Sequence, residues 1–338
     1  MVSHPVALVQ TLPWLRCSRL WRYLRLIVNV TSFKTFKPIA PSPFPRYTSK
    51  DVTVIIPTLG TNEAFPRSLS SIVACSPYAI RVITPEKSVD RARKLCSNIS
   101  QHIEVSASQV ANKRFQMLQG VQHAVTPIVV FADDDVFWPQ TFLPYILAPF
   151  EDPSTGAVGP YAVLERPTTP NVWDVLGAAY LERWNFEVGA TSHMDGGIAC
   201  LAGRSSALRT EIVQDPAFVD HFSHERWLGG IPLSKADDDN CLTRWLVNRG
   251  WKIKIQSAPE ACIETTLEND SAFLGQCVRW CRTTWRSNIT SLFVDRVIWQ
   301  YVSSPSLLTS KSQPMKIRRL IVPCSLIVHN HGVPTLSI

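Results

Sequence analysis

The sequence predicts an α/β fold, a mixed and mostly parallel sheet flanked by helices, and three observations carry that expectation. Strand-like and helix-like segments alternate from residue 52 to residue 132, the pattern of a doubly wound sheet. The first strand ends in the turn Pro57-Thr58 and no GxGxxG follows it, which argues against a dinucleotide-binding half. The apolar run Ile128-Val129-Val130-Phe131-Ala132 stops at Asp133-Asp134-Asp135. Such a β-branched run reads as a strand buried on both faces, and open α/β sheets bind ligands beyond the carboxyl ends of their strands.

Taken in order, the patterning gives a strand over 52–58, a helix over 64–75, a strand over 79–84 and a helix over 88–98. A strand over 102–106, a helix over 109–124 and the strand 128–132 follow. The second half is less regular. Residues 172–188, rich in Trp173, Tyr180, Trp184 and Phe186, suit a helix. Met194-Asp195-Gly196-Gly197 reads as a turn, and a short helix is expected from near Ser205. Asp237-Asp238-Asp239 opens a helix over 241–248 that Gly250 closes. Residues 251–256 and 261–266 read as strands and 271–288 as a helix.

The chain has 338 residues, 45% of them hydrophobic and 18% charged, with a net charge of +7. That length buries a full core as one large domain or two small ones. The basic residues gather near the two ends instead of forming one stripe with interleaved aromatics, so no nucleic-acid partner is expected; anionic lipid or a phosphate-bearing substrate fits the layout. The cysteines number 9, an odd count without a CxxC pair, which argues against a disulfide scaffold or a zinc site. No run of about 18 apolar residues occurs, so no ordinary membrane span is written here. Residues 14–30 carry Arg16, Arg19, Arg22 and Arg25 between leucines and read as a basic amphipathic helix on a membrane surface, or as an ordinary surface helix. The charges interrupt what would be the apolar core of a signal peptide. Pro38, Pro41, Pro43 and Pro45 make residues 36–50 a stiff extended linker. Residues 1–50 are thus expected to form an N-terminal segment, 51–295 the catalytic domain and 296–338 an atypical tail, where 321–328 is too short an apolar run to span a membrane.

Asp133 and Asp135 offer hard oxygen ligands that suit Mg²⁺ or Mn²⁺, which would in turn hold a diphosphate; a solvated acidic turn is the plainer reading. Asp237, Asp238 and Asp239 supply carboxylates for proton transfer, or they cap a helix, and one aspartate can do both. Trp280 and Trp285 offer flat faces for stacking.

A basic pair (Lys113, Arg114), the strand-end carboxylates, the second acidic cluster and Gln276-x-x-Arg279-Trp280 stand in one order. That order resembles the processive family 2 glycosyltransferases: the hyaluronan, chitin and cellulose synthases and related capsule-type polysaccharide synthases. The resemblance covers about residues 51–295 and implies a GT-A-type fold. It further implies that Pro57 and Thr58 line the nucleotide pocket and that Lys113 helps hold the nucleotide sugar. Asp133 would lie near the ribose and diphosphate and, with Asp135, at the metal. Gly196, Gly197, Cys200, Gly203 and Arg204 would border the acceptor. Asp239 would be the general base, and Gln276, Arg279 and Trp280 would position diphosphate and acceptor.

The expected activity is inverting transfer of a sugar from a nucleotide diphosphate donor, a UDP-sugar by preference, to a saccharide hydroxyl. The enzyme would be membrane-associated, with its catalytic domain facing the cytoplasm. Two departures from the family stand out. Only Glu86 is available where relatives place an acidic residue at the second strand's end, and the flanking membrane helices are not found. An inactive or truncated paralogue acting as a binding protein is one alternative, and a nucleotidyltransferase is a weaker one because Leu59-Gly60-Thr61-Asn62 is a poor phosphate loop.

Overall fold

Strands β1 (Val52–Pro57), β2 (Ala79–Pro85), β3 (Ile103–Ser108) and β4 (Ile128–Ala132) pair in parallel in the spatial order β4-β1-β2-β3. The computed structural model describes residues 13–296 except 61, 228–229 and 233–236, and for 13–22, 195 and 232 the backbone alone. Four helices precede or link these strands: α1 (Pro13–Thr35), α2 (Phe65–Ala74), α3 (Val89–Ile99) and α4 (Lys113–Gln122). Strand residues alternate between two cores. Val54, Ile56, Ile128 and Val130 pack with Phe65, Leu69 and Phe142 on one face. Ile55, Val129 and Phe131 pack with Met117, Val121 and Leu242 on the other. Burial on both faces is why these strands read as unbroken apolar runs.

The second half extends the same sheet. β5 (Val136–Phe137), α5 (Phe142–Leu147), β6 (Thr155–Pro160), β7 (Ala162–Leu164) and α6 (Val172–Asp195) come first. β8 (Ser205–Arg209), α7 (Thr210–Val213), α8 (Pro216–His224), and the small hairpin β9 (Arg226–Trp227) and β10 (Ile231–Pro232) follow. α9 (Asp238–Asn248), β11 (Lys252–Gln256), β12 (Ile263–Thr265) and α10 (Ala272–Ile289) complete it, with a π-turn segment at Thr290–Val294. The seven-stranded order is β11-β6-β8-β4-β1-β2-β3. β8 runs antiparallel to both of its neighbours, and β5-β12-β7 form a separate three-stranded sheet.

Several sequence expectations are corrected. The segment from Ser205 is not a short helix but the buried strand β8, because it is paired on both sides. α6 runs past 188 to Asp195 and ends at Gly196, whose φ of 78° is left-handed, so the expected turn at 194–197 begins later. α4 starts at Lys113, not 109, because Asn112 in extended backbone caps it through the Arg114 amide. α9 starts at Asp238, three residues earlier than expected.

The proline-rich segment is strapped down. Ile39 exchanges two hydrogen bonds with the Gln256 side chain (2.7 and 3.3 Å), and Tyr47 is buried. α1 lays its last turns on α6: Phe33 meets Phe186 at 5.2 Å, and the Ser32 hydroxyl donates to the Ala190 carbonyl at 2.7 Å. Tyr23, Leu24, Leu26 and Ile27 on α1 are exposed. Among the described residues no helix is long and apolar enough to cross a membrane. The expected tail lies outside the described residues from 297 onward.

Candidate active site

The carboxyl ends of β1, β2 and β4 open on one edge of the sheet. Pro57 closes β1 opposite Ile83, and the next amide, Thr58, donates to the Ile83 carbonyl at 3.0 Å. Buried Gln116 on α4 donates to the Thr58 and Ile83 carbonyls at 3.0 and 3.2 Å and fixes both strand ends. Of the three strand-end carboxylates, Asp134 is already engaged. Its side chain accepts from the Thr58 hydroxyl and from Asn62 Nδ2 at 3.1 Å, and Gly60, at φ 74°, donates its amide to Thr58 Oγ1 at 2.8 Å. Asp134 therefore clasps the β1 loop and leaves Asp133 and Asp135 on either side.

Lys113, the first residue of α4, joins the two acidic clusters. Its Nζ lies 2.7 Å from Asp133 Oδ1 and 3.2 Å from Asp238 Oδ2, and donates to the Gly203 carbonyl at 3.4 Å. Burial lowers its proton affinity, but the Asp133, Asp238 and Asp239 carboxylates outweigh this and hold it above the ordinary lysine range. A small pocket here is lined by Gly203, Asp238 and Asp239, with Met117, Phe131 and Leu242 below. A Cβ on Gly203 would sit 3.5 Å from the Asp239 Cβ and from the lysine Nζ, in ordinary van der Waals contact with both.

The carboxylates titrate unusually. Burial, then the neighbouring Asp238, pushes Asp239 up to about 6, with Lys113 opposing. Burial, then Asp133 and Asp134, pushes Asp135 up to about 7, with Arg204 and Lys113 opposing. Asp135 has few partners: Thr266 Oγ1 at 3.3 Å reaches its Oδ2. Burial raises Asp133 as well, against the Lys113 charge. A crowded set of oxygen ligands that holds protons this tightly fits a hard divalent cation, which would relieve the mutual repulsion.

Arg204 ties the halves together. Its carbonyl accepts the Asp133 amide at 2.8 Å, and its guanidinium lies 5.4 Å from the Trp280 ring centroid. Tyr180 stacks under Trp280 at 4.8 Å. The connection from Gly196 through Gly197 and Cys200 leads to Arg204; the Cys200 thiol donates to the Leu201 carbonyl at 3.4 Å, and burial, then nearby Asp239, raises its proton affinity. Gln276 has a buried Oε1 with no hydrogen-bond partner among the described residues. Arg279 is exposed, 5.9 Å from the Trp280 ring, and makes no ion pair with a described carboxylate. Thr58, Lys113, Asp133, Asp135, Arg204 and Asp239 thus surround one crevice; Trp280 joins it through Arg204, and among the described residues no contact brings Gln276 or the exposed Arg279 to the acidic clusters. Sequence reasoning missed the Asp134 clasp and the Lys113–Asp238 pair; neither carries a local signal.

Residues 49–283 match the family model described as glycosyltransferase like family 2. The chain belongs to that family. This family 2 glycosyltransferase-like chain is 46% identical over 289 residues to a type 2 glycosyltransferase of Pyricularia oryzae, covering 83% of this chain and 59% of that protein. It is 32% identical over 291 residues to the NDP-glycosyltransferase ltbB of Aspergillus luteorubrus, covering 82% and 70% of the two chains. The chain thus spans little more than half the length of the first of these relatives. Among solved structures, the mannosyltransferase PcManGT of Pyrobaculum calidifontis, in complex with GDP-Man and Mn²⁺, superposes with a TM-score of 0.55 at 17% identity, over 81% of this chain and 74% of that one. The fold is of the GT-A type.

Proposed function

We propose that the chain transfers a sugar, with inversion, from a nucleotide diphosphate donor to a saccharide hydroxyl, in the manner of the polysaccharide synthases. The observation that carries the reading is the Lys113 ammonium held between Asp133 of one acidic cluster and Asp238 of the other. It puts a cation for the donor phosphates within one crevice of a carboxylate for the acceptor. In this reading Asp239 takes the proton of the acceptor hydroxyl, whose oxygen bonds to the anomeric carbon. The anomeric carbon–oxygen bond to the diphosphate breaks on the opposite side, and its electron pair leaves with the nucleoside diphosphate. A carboxylate raised to about 6 is still ionised near neutral pH yet basic enough for that role.

Asp133 and Asp135 would hold Mg²⁺ or Mn²⁺, which neutralises diphosphate charge when bound. Pro57 and Thr58 form the nucleotide wall, and Lys113, Arg204 and Arg279 place positive charge where the diphosphate departs. Trp280, backed by Tyr180, offers the acceptor ring a stacking face; Gln276, one helical turn before it, and Gly197 border the acceptor path. The relative named as an NDP-glycosyltransferase, and the fold neighbour that holds GDP-mannose with Mn²⁺, support a sugar-nucleotide donor; a UDP-sugar is the preferred candidate. The exposed apolar residues of α1 support attachment to the cytoplasmic membrane surface.

The test is metal-dependent release of nucleoside diphosphate from UDP-glucose, UDP-N-acetylglucosamine, UDP-glucuronate and GDP-mannose, with a saccharide acceptor present. Release that requires both the divalent ion and Asp239 supports the reading. No release from any donor favours a binding protein instead.

A further inference from the structure

We infer that Glu225 is a positioning residue for the aspartates that open α9, acting through a buried charge clamp formed with Arg114, Arg244 and Asp295. The inference rests on the transferase reading above, since it concerns what holds the proposed base in place. Arg114, Glu225 and Arg244 have side chains only 1%, 6% and 5% exposed. Glu225 Oε2 accepts from Arg114 Nη2 at 2.6 Å, and its Oε1 accepts from Arg244 Nη2. Arg244 reaches Asp295 Oδ2 through Nε at 3.2 Å and donates from Nη1 to the Ser287 hydroxyl. Two guanidiniums and two carboxylates make a neutral group. Buried charges of this kind are costly unless fully paired, so the arrangement is poorly explained as a source of stability alone.

What the clamp reaches explains it better. Arg114 Nη2 also donates to the Asp237 carbonyl at 2.8 Å, and Nη1 donates to the Phe222 carbonyl at 3.0 Å. That Asp237 carbonyl is the one that accepts the first α9 hydrogen bond, from the Cys241 amide at 3.1 Å. Asp237 itself is left-handed, with φ 71° and ψ 34°, a region uncommon for residues other than glycine, though aspartate enters it more readily than most. The guanidinium therefore fixes the peptide plane on which the chain turns to present Asp238 to Lys113 and Asp239 to the pocket. Glu225 orients that guanidinium and offsets its charge. Because Arg244 belongs to α9 and Asp295 follows the π-turn segment, the same group ties the proposed base to the end of α10.

Two measurements on the full chain test this. The first is turnover of the sugar nucleotide, among the four named above, that the unmodified protein uses with Mn²⁺. Glu225→Gln, checked by thermal unfolding to be folded, is expected to lose about a hundredfold in kcat, the cost of a misplaced reacting group, with the donor KM changed less than about threefold. Asp237→Gly is expected to retain more kcat than Asp237→Ala. Both lack the carboxyl, but glycine accepts the left-handed backbone freely. A folded Glu225→Gln with the unmodified kcat, or an alanine variant as active as the glycine one, overturns the inference. If Glu225→Gln does not fold, the Asp237 pair decides.

The second measurement is independent of turnover: amide hydrogen exchange over residues 238–241. Faster exchange is expected in Glu225→Gln, or in Arg114→Lys where the first variant does not fold; unchanged exchange overturns the clamp. If the unmodified protein turns over no donor, the transferase reading fails, and the exchange result still decides the clamp.

Discussion

Asp239 sits where burial and Asp238 hold its proton, and Lys113 limits the effect. Replacing it with asparagine keeps the shape and removes the basicity. Asp239→Asn is expected to lower kcat by about 10²–10⁴-fold, the usual worth of a positioned general base, with thermal unfolding unchanged or raised. In the unmodified protein the rate should fall as pH drops through about 6, because the proposed base is then protonated. Lys113→Met leaves Asp133 and Asp238 facing each other without their shared cation. The expected outcome is a donor affinity about 10–100-fold weaker in a binding titration, the worth of one charge-assisted contact.

At this scale the order along the chain pointed to Asp133, Asp135, Asp239 and the Gln276-Arg279-Trp280 group; the structure joins the two acidic clusters through Lys113 and leaves Arg279 exposed. Of the neighbouring basic residues the resemblance pointed to Lys113, but nothing local showed where either side chain goes. Lys113 has a solvated lysine's usual signature yet enters the crevice, whereas Arg114 turns inward to a carboxylate 111 positions away. No local pattern encodes a partner that remote.

Among the elements, β4 was read with the boundaries it has, because an apolar run closed by charges marks both ends. β8 was misread. Ser205-Ser206-Ala207-Leu208-Arg209 shows neither alternation nor β-branching, so its state is decided by pairing with β4 and β6. Gly250 was legible as a helix end, and it takes left-handed backbone; Gly196 does so too, but it was read as part of a turn over 194–197 after a helix ending at 188. Gly120 was not legible. It lies where α4 crosses β1, and a methyl group there would overlap the Ile55 side chain. Gly120→Ala is expected to cost about 1–3 kcal/mol by overpacking, read as a lowered denaturation midpoint. Because α4 carries Lys113, reduced donor affinity should accompany it.

For the whole molecule, the crowded carboxylates set stability against pH. Asp135 and Asp237 are raised to about 7 and Asp239 to about 6, so the folded chain binds these protons more tightly than the unfolded chain does. Their ionised forms then oppose folding, and stability should rise as pH falls from about 8 towards about 5. Thermal unfolding across that range checks it, with activity moving in the opposite direction. Mn²⁺ should raise the unfolding temperature more at pH 8 than at pH 5.5, since ligation needs the deprotonated carboxylates. The sheet type was visible in the sequence, but the convergence of the two acidic clusters depends on strand order, which one sequence does not display.

The reversed direction of β8 has a consequence for how such an enzyme could change its substrate. Because β6 and β8 are adjacent and antiparallel, the chain leaves the sheet after Pro160 and re-enters it beside the same spot at Ser205. Residues 161–204, with α6 and Tyr180, are thus a closed excursion hung from two neighbouring strands. A homologous excursion could be grafted in their place without altering any pairing of the seven-stranded sheet, provided the newcomer rebuilt the β7–β12 pairing, while Asp133, Asp135, Pro57 and Thr58 stay put.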